Sequence, residues 1–258
     1  MSAIHPTALV DPRARLAPGV GVGPYTVIDG DVEIGAGTSI GAHCVVTGHT
    51  TIGRENRVFH FCSIGEANQD KKYRGEPTRL SIGDRNTIRE YCSLHRGTVQ
   101  GGGITSVGHD NWIMAYCHIA HDCHVGDHAV FANNATLAGH VTVGDHAVLG
   151  GFTGVHQFVK IGAHVMAGVS SVVLQDIPPY VTVAGHPCAP HGINGEGLRR
   201  RGFTPESIAA LKRAYKTLYK SGLGLAEAKA ELERQARDAP EVGAIVAFLA
   251  TATRGIVR

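Results

Sequence analysis

The stretch IAHDCH VGDHAV FANNAT LAGHVT VGDHAV LGGFTG VHQFVK (residues 119–160) repeats every six residues. Each hexad opens on a large apolar residue and carries a smaller one in its fifth place. The frame runs from Ile4 to Pro178 once residues 70–81 and 100–106 are set aside, and 24 of its 26 hexads open on Ile, Leu or Val. Phe131 and Ala167 are the two exceptions. A period of six fits neither an amphipathic helix nor an ordinary alternating strand, but it fits short strands joined by corners in a parallel β-helix.

Three hexads make one triangular coil. Positions one and five point inward as alternate residues of a short strand, and positions two to four turn the corner. The 34 glycines are expected at corners because corners need unusual φ. Coils stack at roughly 4.8 Å, so about nine of them make a rod on the order of 40 Å long. Its interior is filled by side chains, so function belongs on its outside.

Composition points to a soluble enzyme. No apolar run approaches the roughly 20 residues of a membrane span, and MSAIHPTALVDP at the start lacks a signal-peptide core. These features predict a cytoplasmic protein without a membrane span. A formal charge of +2 excludes strong general attraction to nucleic acid. Of six cysteines, Cys44, Cys62, Cys92, Cys117 and Cys123 fall at position five. Packing accounts for them, with no CxxC pair and no need of a disulfide or metal.

Residues 70–81 (DKKYRGEPTRLS) and 100–106 (QGGGITS) leave the frame and return to it, which marks loops thrown out from a rigid scaffold. The repeat fades after Pro178-Pro179. From Thr204-Pro205, an N-cap and N1 pair, the sequence reads as helix, with Ile208, Leu211, Tyr215 and Leu218 on one stripe. Helices are also predicted over 225–236 and 242–252. The expected domains are a repeat rod over 1–190 and a C-terminal helical domain over 191–258 that caps it.

The frame also sorts the 16 histidines. His43, His49, His128, His140, His146 and His164 lie at position four, a corner, where solvent-facing turn residues are expected. Hexads 64–69, 94–99, 119–124, 137–142 and 155–160 lie above one another, so one edge of the rod carries Gln69, His95, His121, His140 and His156. His121 is the best base on that edge. Imidazole titrates near neutrality, and Asp122 beside it can orient the ring. Gly139, 18 residues on at the same hexad position, offers a backbone N–H one strand spacing away for an oxyanion. A base beside an oxyanion donor reads as acyl transfer.

NQDKKYRGEPTR (68–79), LHRGTVQGGG (94–103), HIAHDC (118–123), NNATLAGHV (133–141), GVHQF (154–158) and GLRRRGF (197–203) together resemble the UDP-N-acetylglucosamine O-acyltransferases that begin lipid A synthesis. The resemblance runs nearly end to end. It implies an all-β plus α fold, in which a left-handed parallel β-helix of hexapeptide repeats precedes a C-terminal helical domain. It also implies a homotrimer with sites in the clefts between subunits, and transfer of an (R)-3-hydroxyacyl group from acyl carrier protein to the sugar 3-hydroxyl without metal or other cofactor. His121 is then the general base, Asp122 its support and Gly139 the oxyanion donor.

Further roles are implied by the same resemblance. Asp70 and Lys72 contact the sugar and acyl groups, and His118, His140, His156 and Gln157 line the cleft. Asn194, Glu196, Arg200 and Arg201 match the nucleotide-binding segment, where a guanidinium suits a diphosphate. Val169 stands where relatives using long acyl chains have Gly, which implies a chain of ten to twelve carbons. Two other readings compete: a trimeric zinc carbonic anhydrase, suggested by HIAHDCHVGDH, and a noncatalytic hexapeptide scaffold. A related N-acyltransferase is expected to carry an extra N-terminal domain, whereas the coils here begin at residue 4.

Overall fold

The computed structural model describes residues 4–258. Position-one residues such as Ile28, Ile52, Ile64, Leu94, Ile119, Leu137 and Leu149 are almost wholly buried in one continuous core. Burial of so many branched side chains along one axis drives the chain to coil. Three parallel sheets result, of nine, eight and ten strands. The first face runs from Leu9–Val10 through Ser63–Glu66, Ser93–His95, His118–Ile119, Thr136–Leu137 and Gly154–Val155 to Val172–Val173. The second runs from Arg15–Leu16 to Lys160–Ile161, and the third from Gly21–Val22 to Met166–Ala167 before Val181–Gly185 and Cys188–Ile193 join it.

Register follows the repeat. Leu9 pairs with Val27, 18 residues on. Across the first loop Ser63 pairs with Ser93, and across the second Ser93 pairs with His118. The offset thus grows by the length of each insertion, and the frame resumes on the same faces. The insertions leave the coil about three residues before the expected positions, because Arg79–Ile82 and Ile104–Val107 are four-residue strands already paired to each other.

Corners differ from expectation in one respect. Of the 18 non-glycine residues with positive φ, the 17 from Tyr25 to Ser170 stand at position four and Tyr180 follows the end of the frame. Asp, Asn, His and aromatic residues therefore carry most of the left-handed conformation, and stacking repays its cost: His128, His146, His164 and Tyr180 form one ladder of rings. Position-two glycines serve close approach instead. A Cβ on Gly35 would lie 2.6 Å from the carbonyl carbon of Gly53 in the next coil.

Position five also does more than pack. Cys44 Sγ lies 3.0 Å from Phe59 O, Cys92 Sγ 3.1 Å from Met114 O, and Asn86 Nδ2 2.9 Å from Gly108 O. These inward side chains donate to corner carbonyls of the following coil, which satisfies buried polar groups.

After the rod, Val181–Gly185 and Cys188–Ile193 form an antiparallel hairpin. Four helices follow: α1 (Gly195–Arg200), α2 (Pro205–Tyr219), α3 (Leu225–Asp238) and α4 (Gly243–Thr251). Thr204 caps α2 by accepting from Ser207 N at 3.2 Å, with Pro205 next to it. Ile208, Leu211, Ala214 and Leu218 pack with Leu232, Val242 and Ile245 into a second core cluster. Asp176, fully buried, accepts from the backbone N–H groups of Thr253 and Arg254, which ties the C-terminal segment to the last coils.

Candidate active site

The corner that follows the first face carries His121 at position three and Asp122 at position four. Asp122 has φ 59, and its side chain is 2% exposed. Its carboxylate is held from the second loop: Thr98 N–H donates to Oδ1 at 2.7 Å and Thr98 Oγ1 donates to Oδ2 at 2.7 Å. His121 Nδ1 lies 2.8 Å from the same Oδ2. A carboxylate receiving such donors is an acceptor, so Nδ1 carries the hydrogen between the two groups and Nε2 is the ring nitrogen left for a substrate.

Gly139 lies in the next coil against this ring. A Cβ built there would meet His121 Cε1 at 2.4 Å and Nε2 at 2.7 Å, so only glycine lets the backbone approach the base this closely. At the neighbouring corner, position-three N–H groups are satisfied by aspartates: His109 N donates to Asp127 and Asp127 N to Asp145. Gly139 N–H has no acceptor among the described residues. A residue with an unpaired donor among the described residues thus stands against the ring.

His140 crosses His121 edge to face, with centroids 5.1 Å apart, and stacks on Phe158 at 4.4 Å. Its Nε2 is 3.6 Å from Asp122 Oδ2, an ion-pair distance rather than a hydrogen bond. Burial lowers the His140 pKa, against the opposing pull of Asp122, and favours a neutral ring. The ligand-type atoms of His121, Asp122 and His140 lie within 4.8 Å of one another. Asp122 is already engaged by two donors from Thr98 and one from His121, so the group reads as a hydrogen-bonded base rather than a metal cage.

These side chains open on a cleft of about 640 Å³. Of the residues singled out in the sequence, Gln69, Asp70, Lys72, His121, His140 and Gln157 line it. Lys71, Thr98, Gln100 and Phe158, which the sequence reading missed, line it as well. The first loop is tied to the coil by Asn68 Nδ2, which donates to Gly97 O at 2.9 Å. Within that loop Asp70 Oδ1 accepts from Lys72 N.

The remaining sequence-predicted residues stand elsewhere. His95 and His118 do not line this cleft but form an edge-to-face pair 4.9 Å apart, with His118 Nδ1 2.7 Å from Ser93 Oγ. Burial, reinforced by His95, pushes the His118 pKa down to about 4. His156 does not line the cleft of this chain; its Nδ1 is 3.2 Å from Arg254 Nη2, because Asp176 pins the Arg254 backbone against that coil.

Asn194 caps α1, accepting from Gly197 N at 3.1 Å and donating to His164 O at 3.0 Å. Glu196 pairs with Arg199 and Arg200 in the open, which contributes little stability. Arg201 acts on the charge of His146 and His164, at the corner after the second face. Val169 is 71% exposed at the corner after the third face. One chain therefore spreads the base, the Asn194–Arg201 segment and Val169 over three different corners and does not bring them together.

With this geometry in hand, comparison with known proteins is decisive. Residues 176–257 match the family profile of UDP-N-acetylglucosamine O-acyltransferase, domain 2, and residues 13–48 and 104–139 match bacterial transferase hexapeptide repeats. The acyl-[acyl-carrier-protein]–UDP-N-acetylglucosamine O-acyltransferase of Thiobacillus denitrificans is 65% identical, with 100% of each chain covered. The chain belongs to the UDP-N-acetylglucosamine O-acyltransferase family. The Janthinobacterium member is 58% identical, again over the whole of both chains. LpxA of Acinetobacter baumannii superposes with a TM-score of 0.97 at 48% identity, covering 99% of each chain. For the Francisella novicida acyltransferase the TM-score is 0.98 at 39% identity, over 99% of this chain and 94% of that one.

Membership makes the chain an acyltransferase and its coil the left-handed β-helix with a helical C-terminal part that the sequence implied. It displaces both the carbonic anhydrase reading and the noncatalytic scaffold. Among the described residues, no helix is long and apolar enough to cross a membrane.

Proposed function

We propose that this acyltransferase moves an (R)-3-hydroxyacyl group from acyl carrier protein to the 3-hydroxyl of the glucosamine in UDP-N-acetylglucosamine, the first step of lipid A biosynthesis, in the cytoplasm. The observation that carries the mechanism is the close approach of Gly139 to the His121 ring, with the Gly139 N–H without an acceptor among the described residues and Asp122 bonded to Nδ1. His121 Nε2 takes the hydroxyl proton as the sugar oxygen attacks the thioester carbonyl carbon. Gly139 N–H donates to the oxyanion. Collapse breaks the C–S bond, and the departing thiolate of the carrier recovers the proton from His121. Atoms and charge balance without metal, redox partner or covalent enzyme intermediate, so no cysteine is needed. Base and oxyanion terms each contribute roughly two to four powers of ten or less.

The same reading includes a homotrimer. Three copies around the rod axis would set one chain's base corner against a neighbour's other corners, so that Asn194, Glu196, Arg200 and Arg201 hold the nucleotide diphosphate and Val169 ends the acyl groove. Asp70, Lys72 and Gln157 bind sugar and acyl groups in the His121 cleft. A β-branched residue filling the groove favours ten to twelve carbons. The test is transfer from a panel of (R)-3-hydroxyacyl carrier proteins to UDP-N-acetylglucosamine, with and without chelator. Chelator-insensitive transfer, greatest at ten or twelve carbons, supports the proposal. No transfer with any donor overturns it, and faster use of a fourteen-carbon than a ten-carbon donor overturns the groove assignment.

A further inference from the structure

The second loop does not behave as a bystander. It leaves the coil after His95, makes one turn of 3-10 helix at Val99–Gly101 and re-enters at Ile104. The N-cap of that turn, Thr98, is 2% exposed and spends every polar group on the turn and on one carboxylate. Its N–H goes to Asp122 Oδ1 and its hydroxyl hydrogen to Asp122 Oδ2, each at 2.7 Å. The hydroxyl oxygen then accepts from Gly101 N at 3.1 Å, which fixes the direction in which its hydrogen points. Thr105, past the turn, accepts from Asp122 N at 2.8 Å. Gly101 leaves no spare room: a Cβ there would sit 2.1 Å from the Asp122 carboxyl carbon.

We infer that Thr98 is a positioning residue for the acyl-transfer reaction, and that the loop over residues 98–105 is a clamp that aims the Asp122 carboxylate at His121. This rests on the reading of His121 as the base. Asp122 occupies a left-handed backbone position in which His121 is its side chain's one hydrogen-bond partner in its own coil among the described residues, so the clamp supplies the remaining constraint. Oδ2 is shared between the Thr98 hydroxyl and His121 Nδ1. Part of its electron density is committed to Thr98, which moderates how strongly the carboxylate stabilises the charged imidazolium. Removing the hydroxyl has two consequences. The carboxylate gains freedom to rotate, and what remains of its hydrogen bonding falls on His121, which favours the protonated ring.

The experiment compares Thr98→Val, which keeps shape and N–H but loses the hydroxyl, with Thr98→Ser, which keeps the hydroxyl, by pH profiles of kcat and kcat/KM. Thr98→Val is expected to lower kcat on the order of tenfold to a hundredfold by loosening the base, and to move the acidic limb of kcat/KM to higher pH. KM for the UDP sugar should stay close to wild type, and Thr98→Ser should restore both rate and limb. His121→Ala is run alongside, and circular dichroism melts check folding. An unshifted limb and unchanged kcat in folded Thr98→Val, with His121→Ala inactive, overturn the clamp and leave the base standing. Full activity in His121→Ala overturns the base and the clamp together. If Thr98→Val does not fold, Thr98→Ala replaces it under the same criteria; loss of rate in Thr98→Ser equal to that in Thr98→Val also refutes a role for the hydroxyl.

Discussion

Gly139→Ala tests the close approach of base and backbone. Glycine at 139 is not in the left-handed region, so alanine fits the backbone, and the substitution retains the N–H that faces the oxyanion. Only a methyl group is added, 2.4 Å from His121 Cε1, where ordinary contact begins near 3.4 Å. The ring must retreat by about 1 Å, the difference of those distances. Its Nδ1 is bonded to Asp122 at 2.8 Å and His140 crosses it, so a shift of that size distorts the hydrogen bond that orients it. A displacement of that size costs on the order of a hundredfold in rate, about 2.7 kcal/mol in barrier. The ring borders an open cleft and can yield, so melting should change little. Single-turnover transfer, followed by mass spectrometry of the O-acylated UDP sugar, measures the effect. Gly21→Ala, with nothing within 4 Å of the added Cβ, is the control. A kcat for Gly139→Ala within about threefold of wild type, less than 1 kcal/mol of barrier, would refute the reasoning.

Other outcomes follow from the ladders inside and along the rod. His164 has a buried Nδ1 without a partner, and burial, then His146 and Arg201, push its pKa down from 6.5 to about 4. As pH falls through 6.5 the unfolded chain takes up the proton first, so stability present above 6.5 is lost progressively towards pH 4; His118 adds to the same slope. His164→Phe, at a position type where Phe152 and Phe158 already adopt positive φ, should raise stability by about 1 kcal/mol. Melts between pH 7 and 4.5 should show a flatter acid decline, and a lowered melting temperature at pH 7 counts against the argument. All six cysteines are buried, and the Cys123 thiol is pushed up to about 12 by burial. Thiol reagents should therefore label none in the native protein and six on denaturation, with activity retained after native exposure; rapid native labelling contradicts the inward frame.

Most of the architecture was written in the hexad frame, because a branched residue every sixth place leaves few ways to bury them all. Counting three hexads per coil is enough to bring Gln69, His121 and His140 to one corner, and all three line the cleft. The expected reason for the glycines holds at Gly19 and Gly37, which have positive φ at position four, whereas position-two glycines serve the approach of the next coil. Thr98 was missed although the frame itself sets it at position five of the coil next to Asp122. Its importance depends on the loop turning its hydroxyl towards residue 122, and no periodicity encodes that. The hairpin at Val181–Ile193 and helix α1 were also missed, because the frame ends there and six residues of helix carry little pattern. His156 shows the limit of face counting: the frame chose its corner, but Arg254, about a hundred residues later, chose its partner.

The central claim is that His121 is the base for direct transfer to the sugar hydroxyl. Single-turnover transfer by wild type and His121→Ala, with the best (R)-3-hydroxyacyl carrier protein and saturating UDP-N-acetylglucosamine, tests it most directly. The account expects the variant to fold and assemble as wild type does but to lose roughly 10²–10⁴-fold in rate, with no acyl-enzyme trapped in either protein. A folded His121→Ala that transfers within about tenfold of wild type, or an acyl group found covalently on the enzyme, would contradict it.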